Sequence, residues 1–386
     1  MDITQQKDLF DIPEDICYLN TASLSPSFKA VEQAGLDAVL QKSRPYLIPS
    51  SDFFDPVIKL KQRFAKLIEV DEYERIATIP SASYGIATIA NNITLEPGQN
   101  VILMQEQFPS NYYSWKKLTD HYQAELKIVP APKTKINRGK LWNEAILEAI
   151  DDNTAVVAMG HIHWSSGTLF NLKAIRKKTH QHKALLIIDG SQSVGALPFS
   201  VKELQPDALI CAGYKWLFGP YGCGYAYYGP YFDHGEPLEE NWTNRLDSHK
   251  LPDLTKYQNE YKPFANRYVM GESGSFIHVK MQLAALKQVL FWTPEAIQDH
   301  CRTLSIKAAE ELRNLGCYIE DNAYRSHHLF GLELPVSVDI EEFKKILADH
   351  GVFLSFRGAY VRLSCHLFNT THDFETFISC LKLALR

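Results

Sequence analysis

The amino-acid sequence predicts an α/β fold built on a largely parallel β-sheet. At 386 residues with 45% hydrophobic content, the chain can bury a large core, and its length favours two domains. Short apolar runs alternate with helical patterns, which is typical of a sheet covered by helices on both faces. The runs are ERIATIP (74–80), NVILMQEQF (100–108), TAVVAMGHI (154–162), ALLIIDG (184–190), DALICAG (207–213) and GCGYAYYG (222–229).

The C-terminal part has a different pattern, which begins after the segment GESGSF (271–276). Its helical and strand-like stretches are segregated, and this favours a small α+β domain. We predict a large domain over residues 21–275 and a small domain formed by residues 276–386 together with the N-terminal segment 1–20. In order, the stretches are helical HVKMQLAALKQVLFW and PEAIQDHCRTLSIKAAEELRNLG, strand-like HHLFGLELP, helical IEEFKKILADHG, strand-like VFLSFRG and YVRLSCHL, and a last helix.

Composition excludes several classes of partner. The 40 basic and 45 acidic residues give a net charge of -5, so we expect no nucleic-acid partner. No apolar run reaches the roughly 20 residues of a membrane span, and the first residues do not resemble a signal peptide. The seven cysteines contain no C-x-x-C pair, which argues against a disulfide framework or a metal site. We expect a soluble cytoplasmic protein with no membrane partner.

Polar residues that follow the apolar runs are the first candidates for a site, because ligands bind at the carboxyl ends of strands in open α/β sheets. The segment SASYG (81–85) follows the first run, and its small residues can open a helix whose N–H groups hold a phosphate. An ordinary helix N-cap gives the same pattern. Asp189 ends the run ALLIIDG and is either a functional acid or a turn residue.

A single lysine, Lys215, stands between two aromatic residues in the segment AGYKWLFGPYG (212–222). A solvated surface lysine is the plain alternative, but the flanking Tyr214 and Trp216 favour burial. Burial lowers the pKa of an ammonium group, and the neutral amine can form a Schiff base with an aldehyde. Pyridoxal phosphate is such an aldehyde, and it also needs a carboxylate near its pyridine nitrogen and a helix N-terminus for its phosphate. Lys215, Asp189 and the SAS turn would supply these three functions.

With these residues in place, the chain resembles the class V aminotransferase group of fold type I pyridoxal-phosphate enzymes. This group includes cysteine desulfurases, selenocysteine lyases, kynureninases and isopenicillin N epimerase-like proteins. The resemblance runs from YLNTASLSPS (18–27) to FNTTHDF (368–374) and is most specific in IIDGSQSVGALPFSVKELQPDALICAGYKWLFGPYGCGYAYYG (187–229). It implies an enzyme that acts on the amino group of an amino-acid-like substrate.

The resemblance also implies a role for individual cofactor-binding residues. Lys215 would form the Schiff base, Asp189 would pair with the pyridine nitrogen, and Gln192 would hydrogen-bond the phenolic oxygen. The other implied contacts are the phosphate-binding Ala82 (through its N–H), Ser83 and Tyr214, and Phe108, which would stack on the pyridine ring. For Phe108, a core phenylalanine is the alternative that the residue type alone favours.

The segment SFRGAYVRLSCHLFNT resembles the region that binds the substrate's α-carboxylate, with Arg362 at the position of the binding arginine. A guanidinium group suits a carboxylate because it can donate two parallel hydrogen bonds. An arginine on an exposed strand face is the alternative, and Arg357 is a weaker candidate for the same role. The loop RYVMGESGSF (267–276) resembles one that contacts the cofactor phosphate of a neighbouring subunit, which implies a homodimer with shared sites.

Two departures from the family pattern bear on the reaction. Cysteine desulfurases have a catalytic cysteine before the carboxylate-binding arginine, but this chain has none between FRG and YVRLS, and Cys365 is better interpreted as a packing residue. Sulfur transfer through a persulfide is therefore disfavoured. In GHIHWSSGT (160–168), Trp164 replaces the asparagine of desulfurases, as an aromatic residue does in kynureninases. His163 either contacts substrate or cofactor or lies in the core; both residues are candidates for substrate binding.

The predicted mechanism starts when the substrate carboxylate pairs with Arg362 and the freed Lys215 amine removes the Cα proton. Transamination, epimerisation and β-elimination remain open, as do the desulfurase, selenocysteine lyase and kynureninase-like alternatives. A non-catalytic relative is disfavoured because Lys215, Asp189 and Arg362 are all present. A Rossmann-type nucleotide enzyme is disfavoured because no G-x-G-x-x-G follows the first strand.

Overall fold

The computed structural model describes residues 6–386, which form one large β-sheet, two smaller sheets and the helices that cover them. No helix among these residues is both long and apolar enough to cross a membrane. The α-helices of the described chain are α1 (Lys29–Lys42), α2 (Asp55–Leu67), α3 (Ala82–Asn91), α4 (Tyr113–Tyr122), α5 (Arg138–Ala149), α6 (Leu172–Gln181), α7 (Val201–Leu204), α8 (Phe276–Trp292), α9 (Pro294–Asn314), α10 (Ile340–Asp349) and α11 (Thr371–Ala384).

The strands divide into a first set in the large sheet and a second set near the C-terminus. The set of the large sheet is β2 (Ile76–Ile79), β3 (Asn100–Met104), β4 (Glu125–Val129), β5 (Thr154–Gly160), β6 (Leu185–Asp189), β7 (Ala208–Ala212) and β8 (Gly224–Tyr228). The remaining strands are β1 (Cys17–Tyr18), β9 (Tyr318–Ile319), β10 (Leu329–Glu333), β11 (Val352–Phe353), β12 (Ser355–Arg357) and β13 (Tyr360–Ser364).

The large sheet confirms the predicted α/β fold. Its strand order is β2-β8-β7-β6-β5-β3-β4, and β8 alone runs in the opposite direction to the other six strands. Each of the six apolar runs contains a strand of this sheet, and β4 is the strand that the sequence did not predict. Since six strands are parallel, their carboxyl ends meet at one edge of the sheet, where a ligand site is expected.

Both faces of this sheet are buried, as the continuous apolar runs predicted. Along β3, Val101 and Leu103 pack into one apolar cluster, whereas Ile102 and Met104 pack into another. Successive side chains of a strand point to opposite faces, so the two clusters are the helix-covered layers on either side of the sheet. The sheet is therefore a rigid platform for the residues at its edge.

The C-terminal strands form a separate antiparallel sheet in the order β12-β13-β10-β9. The N-terminal strand β1 pairs in parallel with β11, which ties the start of the described chain to this region. The pairing supports the proposal that the N-terminal segment belongs with the small domain. Residues 1–5 of that segment lie outside the described residues.

The packing of α8 bears on the predicted domain boundary between residues 275 and 276, which stays a prediction. This helix packs against α1 and α2, which both lie in the proposed large domain. Gly35 of α1 lets the two helices approach closely, because a Cβ atom there would lie 3.0 Å from the sulfur of Met281. We therefore propose that the boundary lies at Thr293, between α8 and α9, rather than before α8.

Candidate active site

A cavity of about 180 Å³ lies at the carboxyl edge of the large sheet. Residues that follow five different strands line it, because the parallel strands end side by side there. The cavity-lining residues are Pro80, Ser81, Ala82, Ser83, Phe108, Ser110, Trp164, Asp189, Ser191, Gln192, Ala212, Tyr214, Lys215, Tyr221, Gly222 and Cys223. All seven residues for which the sequence predicts a cofactor contact are among them.

The turn after β7 holds Lys215 at this edge. Gly213 donates its N–H to the carbonyl of Cys223, and Gly219 donates to the carbonyl of Gly213, at 2.8 Å in both cases. Position 213 requires glycine, since a Cβ atom there would lie 2.8 Å from the Cys223 oxygen. Phe218 takes a left-handed backbone conformation with φ 54° so that its ring enters the core. The lysine backbone is thus fixed from both sides.

Lys215 is a buried residue, 8% exposed, and its ammonium group has no hydrogen-bond or ion-pair partner among residues 6–386. Its nitrogen lies 5.5 Å from the ring centre of Phe108 and 5.6 Å from that of Tyr214. Burial lowers the pKa of Lys215 to about 8, and the charges of Arg362 and Arg357 act in the same direction, whereas Asp189 opposes them. A neutral amine is therefore accessible near neutral pH.

The lowered pKa predicts how the cofactor-free protein should react with pyridoxal phosphate. Only the neutral amine attacks the aldehyde, so the attachment rate should rise roughly tenfold per pH unit below about pH 8. Above that pH the rate should level off. Stopped-flow absorbance at about 410–430 nm measures the attachment. A rate that keeps rising beyond about pH 9 would mean that the amine keeps the ordinary pKa of a lysine.

Asp189 ends β6 and lies on the strand next to the one that precedes Lys215. One of its carboxylate oxygens accepts a hydrogen bond from the N–H of Ser191 at 3.0 Å. The Ser191 hydroxyl in turn accepts the N–H of Ala212 at 2.9 Å, which links the ends of the two strands. The carboxylate is thereby oriented into the cavity, where it can hold a proton on a ring nitrogen.

The N-terminus of α3 offers two free N–H groups to the cavity. Ser81 caps the helix by accepting the N–H of Tyr84 at 3.1 Å, and its hydroxyl lies 2.9 Å from that of Ser83. The N–H groups of Ala82 and Ser83 have no protein acceptor among the described residues. Together with the helix dipole, these donors fit a phosphate group.

Aromatic and amide side chains shape the remaining walls. The rings of Phe108 and Trp164 meet edge to face at 5.3 Å, and the Trp164 indole N–H donates to the Glu106 carbonyl. The Gln192 side chain donates one N–H to the Ala22 carbonyl and accepts the indole N–H of Trp216. Its second amide N–H remains for a ligand oxygen.

Arg362 lies near this cavity but is not part of its lining. Its guanidinium group donates to the Ser355 hydroxyl at 3.1 Å, the Trp164 carbonyl at 2.9 Å and the Ser23 hydroxyl at 2.7 Å. The residue is only 2% exposed, which excludes an arginine on an open strand face. Arg357 is partly buried beside it and donates to the same Ser23 hydroxyl at 3.3 Å.

His163 lies in the core. This favours a core histidine over one that contacts substrate or cofactor, the two alternatives that the sequence left open. Its ring nitrogens interact with protein atoms, Nε2 with the Gln105 carbonyl at 3.0 Å and Nδ1 with the Ser166 hydroxyl at 3.0 Å. Burial lowers its pKa to about 4, so the ring is neutral at physiological pH. We therefore leave His163 out of the proposed substrate site.

The seven cysteines are all free and buried. Cys223 is the one that lines the cavity, and burial raises its pKa to about 12, which keeps the thiol protonated. Cys365 is fully buried and its thiol faces the His327 carbonyl. Because a persulfide carrier needs a reactive thiolate within reach of other molecules, these positions argue against sulfur transfer through a cysteine of this chain.

Sequence reasoning missed three residues that shape the site: Ser23, Ser191 and Tyr221. Ser191 stands next to Gln192 and Tyr221 lies in the segment that contains Lys215, so a local search around those residues would have found both. Ser23 is 339 positions away from Arg362, which it contacts. Its role becomes visible only when the fold brings the two segments together.

A larger cavity of about 840 Å³ lies elsewhere, among residues that include Lys66, His161, Phe199 and Tyr324. None of the site residues that the sequence predicted lines it. The smaller cavity is therefore the candidate site. Its lysine, acid, free helix N-terminus and amide fit the aldehyde, ring nitrogen, phosphate and phenolic oxygen of pyridoxal phosphate.

Fold and site together define a pyridoxal-phosphate-dependent enzyme of fold type I, and comparisons with known proteins agree. The fold is similar to that of a C-DES variant with glycine covalently linked to its pyridoxal-phosphate cofactor, with a TM-score of 0.85. That likeness covers 98% of this chain and 99% of the other at 17% identity, so it concerns the fold alone. Residues 49–375 match the family model of class V aminotransferases, and the chain belongs to this family.

Two curated relatives are similar to this chain in sequence. An uncharacterized aminotransferase of Bacillus subtilis, YcbU, is 25% identical over 314 residues, which are 81% of this chain and 80% of the relative. A cysteine desulfurase of Shigella sonnei is 29% identical over 171 residues, 44% of this chain and 41% of that protein. The chain is thus a pyridoxal-phosphate enzyme of the transferase or lyase type, which acts on the amino group of an amino-acid-like substrate.

Proposed function

We propose that Lys215 holds the cofactor and moves the Cα proton of an α-amino acid whose carboxylate binds Arg362. One observation carries this proposal: a buried lysine without a partner lies in a cavity that also contains Asp189 and a free helix N-terminus. A charged group without a partner destabilises a protein interior. Such groups are therefore typical of sites that bind a ligand.

Each residue then has a separate task. Bound pyridoxal phosphate supplies an electron sink that stabilises negative charge at the substrate Cα. The Asp189 carboxylate keeps a proton on the pyridine nitrogen, and the N–H groups of Ala82 and Ser83, with Tyr214, bind the phosphate. Gln192 donates its remaining N–H to the phenolic oxygen of the cofactor. Phe108 and Trp164 exclude water from one side of the cofactor's pyridine ring.

Arg362 holds the substrate in an orientation that allows Lys215 to accept the Cα proton. Arg362 keeps one unbonded N–H on each terminal nitrogen, which suits the two oxygens of a carboxylate. Lys215 would hold the cofactor through its amine, and the same amine, when not bonded to the cofactor, would accept the Cα proton. Its lowered pKa matches it to this task, because a general base works best when its pKa lies near the working pH.

A screen of amino acids against the loaded enzyme tests the function and assigns the reaction. Binding is followed through the cofactor spectrum, and the products are analysed. A keto acid indicates transamination, a change of configuration indicates epimerisation, and loss of a β-substituent indicates a lyase. If no amino acid changes the spectrum of a fully loaded enzyme, the proposed substrate class is wrong.

The role of Arg362 predicts a specific kinetic change. In Arg362→Gln, KM for the amino acid should rise about 10- to 150-fold, from the roughly 1.5–3 kcal/mol of charged hydrogen bonds. The visible band of the attached cofactor should stay, because Lys215 is unchanged. Arg302→Gln, an exposed change in α9, is the matched control and should leave KM as it is. An unchanged KM in Arg362→Gln would remove the assignment.

We further propose that the enzyme is a homodimer with shared active sites. The loop 267–276 packs beside residues 50–53, since a Cβ atom on Gly274 would lie 2.7 Å from the Phe53 carbonyl oxygen. Exposed apolar side chains gather nearby on α1 and the turn that follows, and such surfaces are typical of interfaces. They are Leu36, Val39, Leu40, Tyr46 and Leu47. Light scattering that gives the mass of a single 44.0 kDa chain would contradict the dimer.

We also propose a cytoplasmic location. All seven cysteines are free in the structure, which supports a reducing compartment. Cell fractionation with an antibody against the chain tests the location, and recovery from an extracytoplasmic fraction would contradict it.

A further inference from the structure

Two guanidinium groups, those of Arg357 and Arg362, lie side by side near the site cavity but outside its lining. A terminal nitrogen of Arg362 and one of Arg357 donate to the same Ser23 hydroxyl oxygen, at 2.7 and 3.3 Å. Both nitrogens are therefore close to one oxygen atom, and hence close to each other. The fold sets this proximity, because Arg357 ends β12 and Arg362 lies on β13, which pairs with it.

No carboxylate of the described chain neutralises this pair. Neither arginine forms an ion pair among residues 6–386. Burial lowers the pKa of Arg362 to about 9, and the charge of Arg357 acts in the same direction. Two like charges held together in a partly dry site destabilise each other unless an anion binds between or beside them.

Together, Arg357 and Arg362 have more unbonded N–H groups than one carboxylate can accept. Arg362 keeps one unbonded N–H on each terminal nitrogen, and these two suffice for a bidentate carboxylate. Arg357 uses single N–H groups toward the Phe356 carbonyl and Ser23, so it keeps unbonded N–H groups on Nε and on both terminal nitrogens. Arg357 is also the less buried of the two, at the last position of β12 before the turn at Gly358.

We propose that the enzyme's substrate is an amino acid with a second acidic group on a short side chain, bound through that group to Arg357 while Arg362 binds the α-carboxylate. This inference rests on the proposed function, because it takes Arg362 as the α-carboxylate anchor. The closeness of the two guanidinium groups sets the length of the side chain, since its acidic group has to lie about as far from the α-carboxylate as it does in aspartate or glutamate.

Matched pairs of amino acids test the second anchor. L-Aspartate and L-asparagine, and L-glutamate and L-glutamine, have nearly the same shape and differ in charge. Their dissociation constants are measured from the spectrum of the loaded wild-type enzyme and of Arg357→Gln, Arg357→Lys and the exposed control Arg302→Gln. In the wild type and the control, one acid should bind about 10- to 150-fold tighter than its amide, as expected for charged hydrogen bonds.

In Arg357→Gln this ratio should fall to near one while the affinity for the amide stays within about threefold, and Arg357→Lys should restore part of the ratio. Equal weakening of acid and amide would mean that both arginines hold one carboxylate, and weaker binding of pyridoxal phosphate would place Arg357 on the cofactor phosphate. Either result, or equal wild-type affinity for acid and amide, overturns the second anchor but leaves the amino-acid function intact. No spectral response to any of the four would overturn the proposed function as well.

Discussion

Lys215→Ala should remove the visible absorbance band at about 410–430 nm and lower kcat by at least about 10³-fold, because in the proposed function one amine both holds the cofactor and moves the proton. Lys215 is the lysine that lines the site cavity, and its ammonium group has no protein partner within residues 6–386. Spectra of the purified variant after incubation with pyridoxal phosphate, followed by single-turnover assays, measure both losses. A variant that still shows the band would place the attachment on another lysine.

Lys61 provides an unusually close control for this experiment. It is also buried, and burial together with the charge of Lys262 lowers its pKa to about 7, below that of Lys215. Its amine, however, donates to the Asn266 side chain and lies outside the site cavity. Lys61→Met should therefore keep the band. If the low pKa alone selected the reactive lysine, Lys61→Met would lose it, so the pair separates the effect of position from that of pKa.

Much of the fold was predictable because buried parallel strands have a strong sequence signal. The strand β7, within DALICAG, is apolar at every position and buried throughout. By contrast β4, with the sequence ELKIV, is the outermost strand of the sheet. Its residues Glu125 and Lys127 are not fully buried. An edge strand needs no continuous apolar run, so its pattern does not differ from that of a loop.

For the site residues, too, the sequence placed those that depend on local pattern and not those that depend on distant contacts. Asp189 and Lys215 could be placed close together because Asp189 ends one buried strand and Lys215 comes shortly after the next, and the carboxyl ends of parallel strands lie side by side. The ring of His163 could not be placed, because its partners Gln105 and Ser166 decide whether it is satisfied in the core. Ser23, which connects the two arginines, comes from the opposite end of the chain. Pairings of this kind depend on the whole fold and leave no local pattern.

Asp189→Asn should lower kcat by about 10²- to 10³-fold while the cofactor stays attached, since removal of one preorganised electrostatic group typically has this effect. The amide has the shape of the carboxylate and can still accept the N–H of Ser191, so the fold is preserved. It cannot keep a proton on the pyridine nitrogen, and negative charge at the substrate Cα is then less stabilised. Steady-state kinetics together with the visible spectrum separate the lost rate from any lost cofactor.

A second readout distinguishes this role from a structural one. Asp189 raises the pKa of Lys215 against the effect of burial, so its loss should move the pH at which attachment levels off below about 8. Asp207 is the matched control at the opposite edge of the same strands, where it accepts hydrogen bonds from Arg176 and the N–H of Leu186. Asp207→Asn should lower stability but leave both kcat and the pH profile unchanged. If both variants lost rate equally with unchanged pH profiles, Asp189 would serve the fold and not the cofactor.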